Sequence, residues 1–136
     1  MTTSGILLFA HGARDPAWAR PFQAVATRLS LRQPGAPIRL AFLEFMTPDI
    51  VQAGAELAAE GCQQVTVVPL FLGAGGHVRK DLPALLETLR GQYPHITWRL
   101  SAAVGETDLL IDALADSALA LAQGTASLLS TPPAAP

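Results

Sequence analysis

Three apolar runs in this chain each end in a side chain able to bind a transition metal. Ile6-Leu7-Leu8-Phe9-Ala10 precedes His11, Ile38 to Leu43 precedes Glu44, and Val65 to Leu72 precedes Gly73-Ala74-Gly75-Gly76-His77. If the runs are parallel strands of one sheet, two imidazoles and a carboxylate meet at the carboxyl edge of that sheet, where open α/β folds bind their ligands. Neutral imidazole and carboxylate suit borderline first-row divalent ions. Two or three such donors with open positions point to transient handling of a metal. Cys62 is the single cysteine, which excludes an intrachain disulfide and a clustered-thiolate cage.

The same edge collects two other kinds of residue. Gly12, Gly73, Gly75 and Gly76 remove side chains where a flat or bulky ligand would approach, although turn chemistry alone also uses glycine. Arg14, Arg79 and Lys80 put positive charge nearby and suit an anionic, polycarboxylate substrate. Cys62 and His95 stand before the third and fourth strands, at the opposite end. They read as a buried apolar residue and a solvated turn residue.

The elements that position these groups are written in the punctuation. Asp15-Pro16 offers an N-cap and a first-turn proline, followed by Trp18, Phe22, Val25 and Leu29 at helical spacing. Pro34, Gly35 and Pro37 end that helix. Thr47-Pro48 repeats the signal before Ile50, Ala53, Leu57 and Ala58, and the second helix should stop at Gly61. Pro69 argues for regular pairing of the third strand only to Val68. Leu82, Leu85, Leu86 and Leu89 form the cleanest stripe, with Pro83 acceptable only in a first turn. Pro94 precedes a fourth strand, Ile96 to Leu100, and Leu109, Leu110, Ala113, Leu114, Ser117 and Leu121 mark a fourth helix. Four βα units with right-handed crossovers predict a three-layer αβα fold, with a four-stranded parallel sheet in the order 2-1-3-4.

At 136 residues and 50% hydrophobic, the chain is sized for one domain, which buries roughly 70% of the surface exposed by its unfolded chain. That domain is expected to span residues 1–123, with 124–136 a flexible Pro-rich tail. The formal net charge of -2 argues against nucleic-acid and anionic-membrane partners. Apolar stretches are broken well short of the roughly 20 residues of a membrane span. Met1-Thr2-Thr3-Ser4 lacks the features of a signal peptide, so a cytoplasmic location is expected.

No G-x-x-x-x-G-K-[ST] segment is present, and Gly73-Ala74-Gly75-Gly76 lacks dinucleotide spacing. Ala10 stands where a histidine phosphatase has arginine before its His-Gly pair, and Leu70-Phe71-Leu72 where a receiver domain has aspartate. His11-Gly12-Ala13-Arg14-Asp15-Pro16, Ala41-Phe42-Leu43-Glu44, and Val67-Val68-Pro69-Leu70-Phe71-Leu72 through Gly76-His77-Val78 and Asp81-Leu82-Pro83 resemble the short-form class II chelatases that insert metal into sirohydrochlorin. The resemblance runs from about Ile6 to Leu121 in order and spacing. It implies a flavodoxin-like chelatase half and a sirohydrochlorin cobaltochelatase, with Fe2+ and Ni2+ insertion as close relatives. It also implies a homodimer, no permanent cofactor, and Co2+ as the metal substrate. His11 and His77 fall on the family's metal-binding histidines and Glu44 on its nearby acidic position. Ala13 departs from the serine common there.

Metallation expels two pyrrole protons. An imidazole can hold metal or take a proton, and a carboxylate can relay protons or complete the coordination. This route needs no ATP. A non-catalytic metal or tetrapyrrole carrier would use the same residues. A flavin carrier is weaker, because the loops after strands one and three lack a Ser/Thr-rich phosphate cradle.

Overall fold

The β-branched and aliphatic runs form four strands: β1 (Ser4–Ala10), β2 (Ile38–Phe42), β3 (Gln64–Pro69) and β4 (Thr97–Leu100). All pair in parallel in the order β2-β1-β3-β4, the order expected from the crossover rules. A computed structural model describes residues 3–73 and 75–124, with His77 and Arg79 described by backbone only. The register sets Ala10 beside Phe42 and Phe9 beside Pro69, so the carboxyl ends of β1, β2 and β3 finish level. That alignment gathers the loops that follow them.

Pairing continues through Pro69, one residue beyond the sequence expectation. The Leu70 N–H donates to the Phe9 carbonyl at 2.7 Å, and the Val67 carbonyl accepts from Ser101 N–H at 3.0 Å. Backbone groups alternate sides along a strand, so the donor missing from Pro69 would point toward β4, which has already ended at Leu100. No ladder bond is lost.

Helices α1 (Arg20–Arg32), α2 (Ile50–Ala59), α3 (Gly76–Gln92) and α4 (Asp108–Ala122) alternate with the strands. Asp15 does cap, accepting from Ala17 N–H at 2.9 Å, but it starts a 3-10 turn over Pro16–Ala19, and α1 follows. The cap of α2 is Asp49, two residues beyond Thr47. Its carboxylate accepts from Gln52 N–H at 2.8 Å while the Gln52 side chain accepts from Asp49 N–H at 2.9 Å. This reciprocal box satisfies two end donors, more than a threonine followed by proline can offer. Pro83 is the second correction to helix chemistry, for it lies inside α3, beyond the first turn. It sits on the exposed face, where water can hydrate the carbonyl its missing N–H leaves free.

One sheet face packs Leu7, Phe9, Val65, Val67 and Trp98 against Ile50 and Leu57 of α2 and Leu82, Leu86 and Leu89 of α3. On the other, Ala10 and Phe42 meet Ala19, Trp18 and Phe22 from the 3-10 turn and α1. Edge strand β2 is tied to α2 by Arg39, which pairs with Glu60 at 2.6 Å. Helix α4 departs from the pattern. It forms where its stripe predicts, yet none of its residues is buried, and Leu109 and Leu119 are 83% and 58% exposed. No described helix is long and apolar enough to cross a membrane. Apart from Gly124, the tail expected over 124–136 lies outside the described residues.

Replacing Asp49 by Ala should cost about 1 kcal/mol of stability through loss of the cap. Urea denaturation at neutral pH would measure it as a lowered midpoint at unchanged slope.

Candidate functional site

The loops after β1 and β2 are joined by backbone. Leu43 N–H donates to the Ala10 carbonyl at 2.9 Å, and Glu44 N–H donates to the His11 carbonyl at 3.1 Å. Regular pairing ends with Ala10 and Phe42, but backbone contact continues one step past both strands, to two of the residues predicted to act together. Gly12 makes this possible. It adopts φ +89°, and a Cβ there would stand 1.9 Å from the Glu44 carbonyl oxygen. Both the left-handed backbone and the close approach demand a residue with no side chain.

His11 is half-buried, and its ring lies against Phe71 with centroids 4.2 Å apart at 33°. Phe71 is 2% exposed and also contacts Phe9, at 6.0 Å between centroids. A core aromatic thus fixes the imidazole plane. No hydrogen bond to either His11 ring nitrogen is found among the described residues, so both are available to a ligand. Phe71 is itself pinned, since its carbonyl accepts from Gly105 N–H at 2.9 Å. Gly105 belongs to a 3-10 turn over Val104–Glu106, and a Cβ there would fall 1.8 Å from the Leu72 carbonyl oxygen.

The remaining predicted residues are placed as follows. Glu44 is exposed, one residue before Phe45. The Arg14 guanidinium carbon stands 4.7 Å from the centroid of the Phe45 ring. Gly75 is the N-cap of α3, Gly76 its first residue, and His77 follows in the first turn by backbone position. Gly73 and Gly75 have open space where a Cβ would stand. Lys80 is exposed on the second turn. The side chains of His77 and Arg79 lie outside the described residues, as does Ala74. Among the described residues, no three His, Cys, Asp or Glu side chains gather into a metal cage. The structure therefore brings His11, Gly12 and Glu44 into direct backbone contact.

Cys62 and His95 fall at the other end of the sheet, Cys62 buried beside Gly5 and His95 exposed before β4. Burial pushes the Cys62 thiol up, Glu60 adds to the rise, and Arg39 opposes it. Phe71 and Gly105 escaped sequence reasoning. An aromatic two residues past Pro69 was the available signal, but nothing in its type says which neighbour it will stack on.

The CbiX family model matches residues 5–120, from β1 to the end of α4. The chain belongs to the CbiX family. The sirohydrochlorin cobaltochelatase of Sulfurisphaera tokodaii is 36% identical over 89 residues, covering 64% of this chain and 71% of that protein. The matched stretch spans less than two thirds of several other curated relatives. A crystal structure described as a cobalamin biosynthesis CbiX protein, from Marinobacter aquaeolei, superposes with a TM-score of 0.79 at 31% identity, covering 89% of this chain and 98% of that one. The sirohydrochlorin chelatase SirB of Bacillus subtilis, solved with cobalt, shares the fold at a TM-score of 0.71 and 24% identity. Its match covers 90% of this chain but 52% of SirB, the longer of the two.

Gly12→Ala should force the β1 and β2 loops apart, combining left-handed strain of about 1 to 3 kcal/mol with a backbone clash. The expected result is a clearly lower unfolding temperature and lost cobalt binding, read by calorimetry and by metal titration.

Proposed function

We propose that this chain inserts a divalent metal, Co2+ foremost, into sirohydrochlorin without ATP. The observation that carries the proposal is the backbone junction that sets His11 beside Glu44 at the carboxyl edge of a CbiX-family sheet. His11 binds the incoming ion through an available ring nitrogen, and His77, two residues past the cap of α3, is the second ligand. The open coordination positions are left to water and then to the macrocycle nitrogens. As the ion enters, two pyrrole protons leave, and Glu44, exposed beside the His11 backbone, accepts and relays them. Arg14, Arg79 and Lys80 pair with substrate carboxylates, and Gly12, Gly75 and Gly76 keep side chains from the ring's path. The reading places the work in the cytoplasm, with residues 1–123 as a single chelatase domain.

The working unit is a homodimer. Leu109, Ile111, Leu114, Leu119 and Leu121 of α4 are exposed among the described residues, and burial of apolar surface is the main drive for association. A second copy of this chain is the proposed occupant, because two-fold pairing is the commonest closed solution.

Anaerobic mixing with sirohydrochlorin and Co2+, Fe2+ or Ni2+, followed through the macrocycle absorbance, tests the reaction. Wild-type protein should accelerate metallation, with Co2+ fastest, and His11→Ala or His77→Ala should lose at least about a hundredfold, comparable to losing a catalytic acid–base group. Metallation no faster than in buffer, or near-normal turnover in both variants, would refute the assignment. Sedimentation at micromolar concentration should give twice the monomer mass. Leu109→Asp combined with Leu119→Asp should shift it to monomer and lower activity; a fully active monomer would show that one domain suffices.

A further inference from the structure

Phe45 is the one non-glycine residue with positive φ among the described residues, at +66°, and the residue is 56% exposed. A bulky side chain is uncommon in that conformation, and an exposed aromatic gains nothing from core packing in return. The loop is held from both ends. Glu44 N–H is bound to the His11 carbonyl, and Phe42 N–H, on the outer edge of β2, donates to the Pro48 carbonyl at 2.9 Å. The surrounding structure thus keeps Phe45 out in the solvent, immediately after the proposed proton acceptor. Beside it opens a shallow cleft of about 340 Å³ walled by Pro16, Ala19, Phe42 and Met46. The Arg14 guanidinium lies over the Phe45 ring at 4.7 Å, and no carboxylate among the described residues pairs with it.

We infer that Phe45 and this cleft are a binding platform for one peripheral ring of the tetrapyrrole, with Arg14 clamping the carboxylates that ring carries. The inference rests on the chelatase function proposed for the chain and adds a substrate-contacting residue to it. An aromatic face matches a flat conjugated ligand, and a guanidinium held against an aromatic ring keeps its N–H edge free for bidentate pairing with carboxylate. Charge and shape are then complementary to a flat, polyanionic macrocycle whose centre would lie toward Glu44 and His11. The left-handed backbone is maintained for what the ring binds.

The test uses the full chain and two separate titrations, one with metal-free sirohydrochlorin and one with Co2+ alone. Phe45→Gly and Phe45→Asn, both suited to the left-handed backbone, should weaken tetrapyrrole binding about tenfold, the loss of one aromatic contact. Phe45→Trp should stay within about twofold of wild type. Cobalt binding should be unchanged in all three, and the unfolding temperature of Phe45→Gly should equal or exceed that of wild type, because strain is relieved. Unaltered tetrapyrrole binding in the Gly and Asn variants overturns the platform while leaving a metallating wild type as a chelatase. So does weakened binding in all three variants accompanied by a lower unfolding temperature, which marks a structural role. A wild type that neither binds nor metallates sirohydrochlorin overturns the chelatase function and the platform together.

Discussion

The carboxyl edge of the sheet depends on a contact that only glycine permits. Parallel β1 and β2 end level, and the backbone bond from Glu44 to His11 just beyond them brings the Gly12 backbone onto the Glu44 carbonyl with no room for a Cβ. Two residues 33 positions apart in sequence are thereby held as neighbours by main-chain hydrogen bonds. Backbone contacts of this kind fix where each side chain originates without using its functional atoms. Among the described residues, neither the imidazole nor the carboxylate is taken up by a hydrogen bond.

Orientation is supplied from the other side. Phe71 leaves the end of β3, enters the core and presents its ring to His11, while Gly105 holds the backbone on either side of the Phe71–Leu72 peptide. The imidazole is therefore supported by packing, which resists rotation while leaving the nitrogens untouched. If His11 is the metal ligand proposed above, a rigid first position lowers the ordering cost of each encounter with an ion. The same edge carries its charge on exposed side chains such as Arg14 and Lys80, in keeping with a large anionic substrate that approaches from solvent.

Helix α4 shows that propensity and burial are separate matters. Its Thr107 cap, whose hydroxyl accepts from Leu110 N–H at 3.4 Å, and its run of Ala and Leu are sufficient for helix formation. Leu109, Ile111, Leu114, Leu119 and Leu121 are nonetheless exposed. A stripe in sequence states that a helix wants a partner, and it does not state whether the partner lies in the same chain.

The sequence by itself determined the βα alternation, the strand order and the end of the sheet at which His11 and Glu44 appear, because hydrophobic period and crossover handedness are local or nearly local rules. It also separated Cys62 and His95 from that edge, since each precedes a strand. Helix starts were less legible. Asp49 displaced Thr47 as the cap because two reciprocal hydrogen bonds outweigh a proline signal; Pro69 was tolerated because its missing donor faces past the end of β4, and Pro83 because it lies on the exposed face of α3, where water can reach the carbonyl left free. Only the tertiary structure decided that Phe71 would support His11, that Phe45 would stand exposed beneath Arg14, and that among the described residues no α4 side chain would be fully buried. Those outcomes depend on contacts between residues distant in sequence, and an aromatic side chain has the same identity whether it ends in the core, against an imidazole or in water.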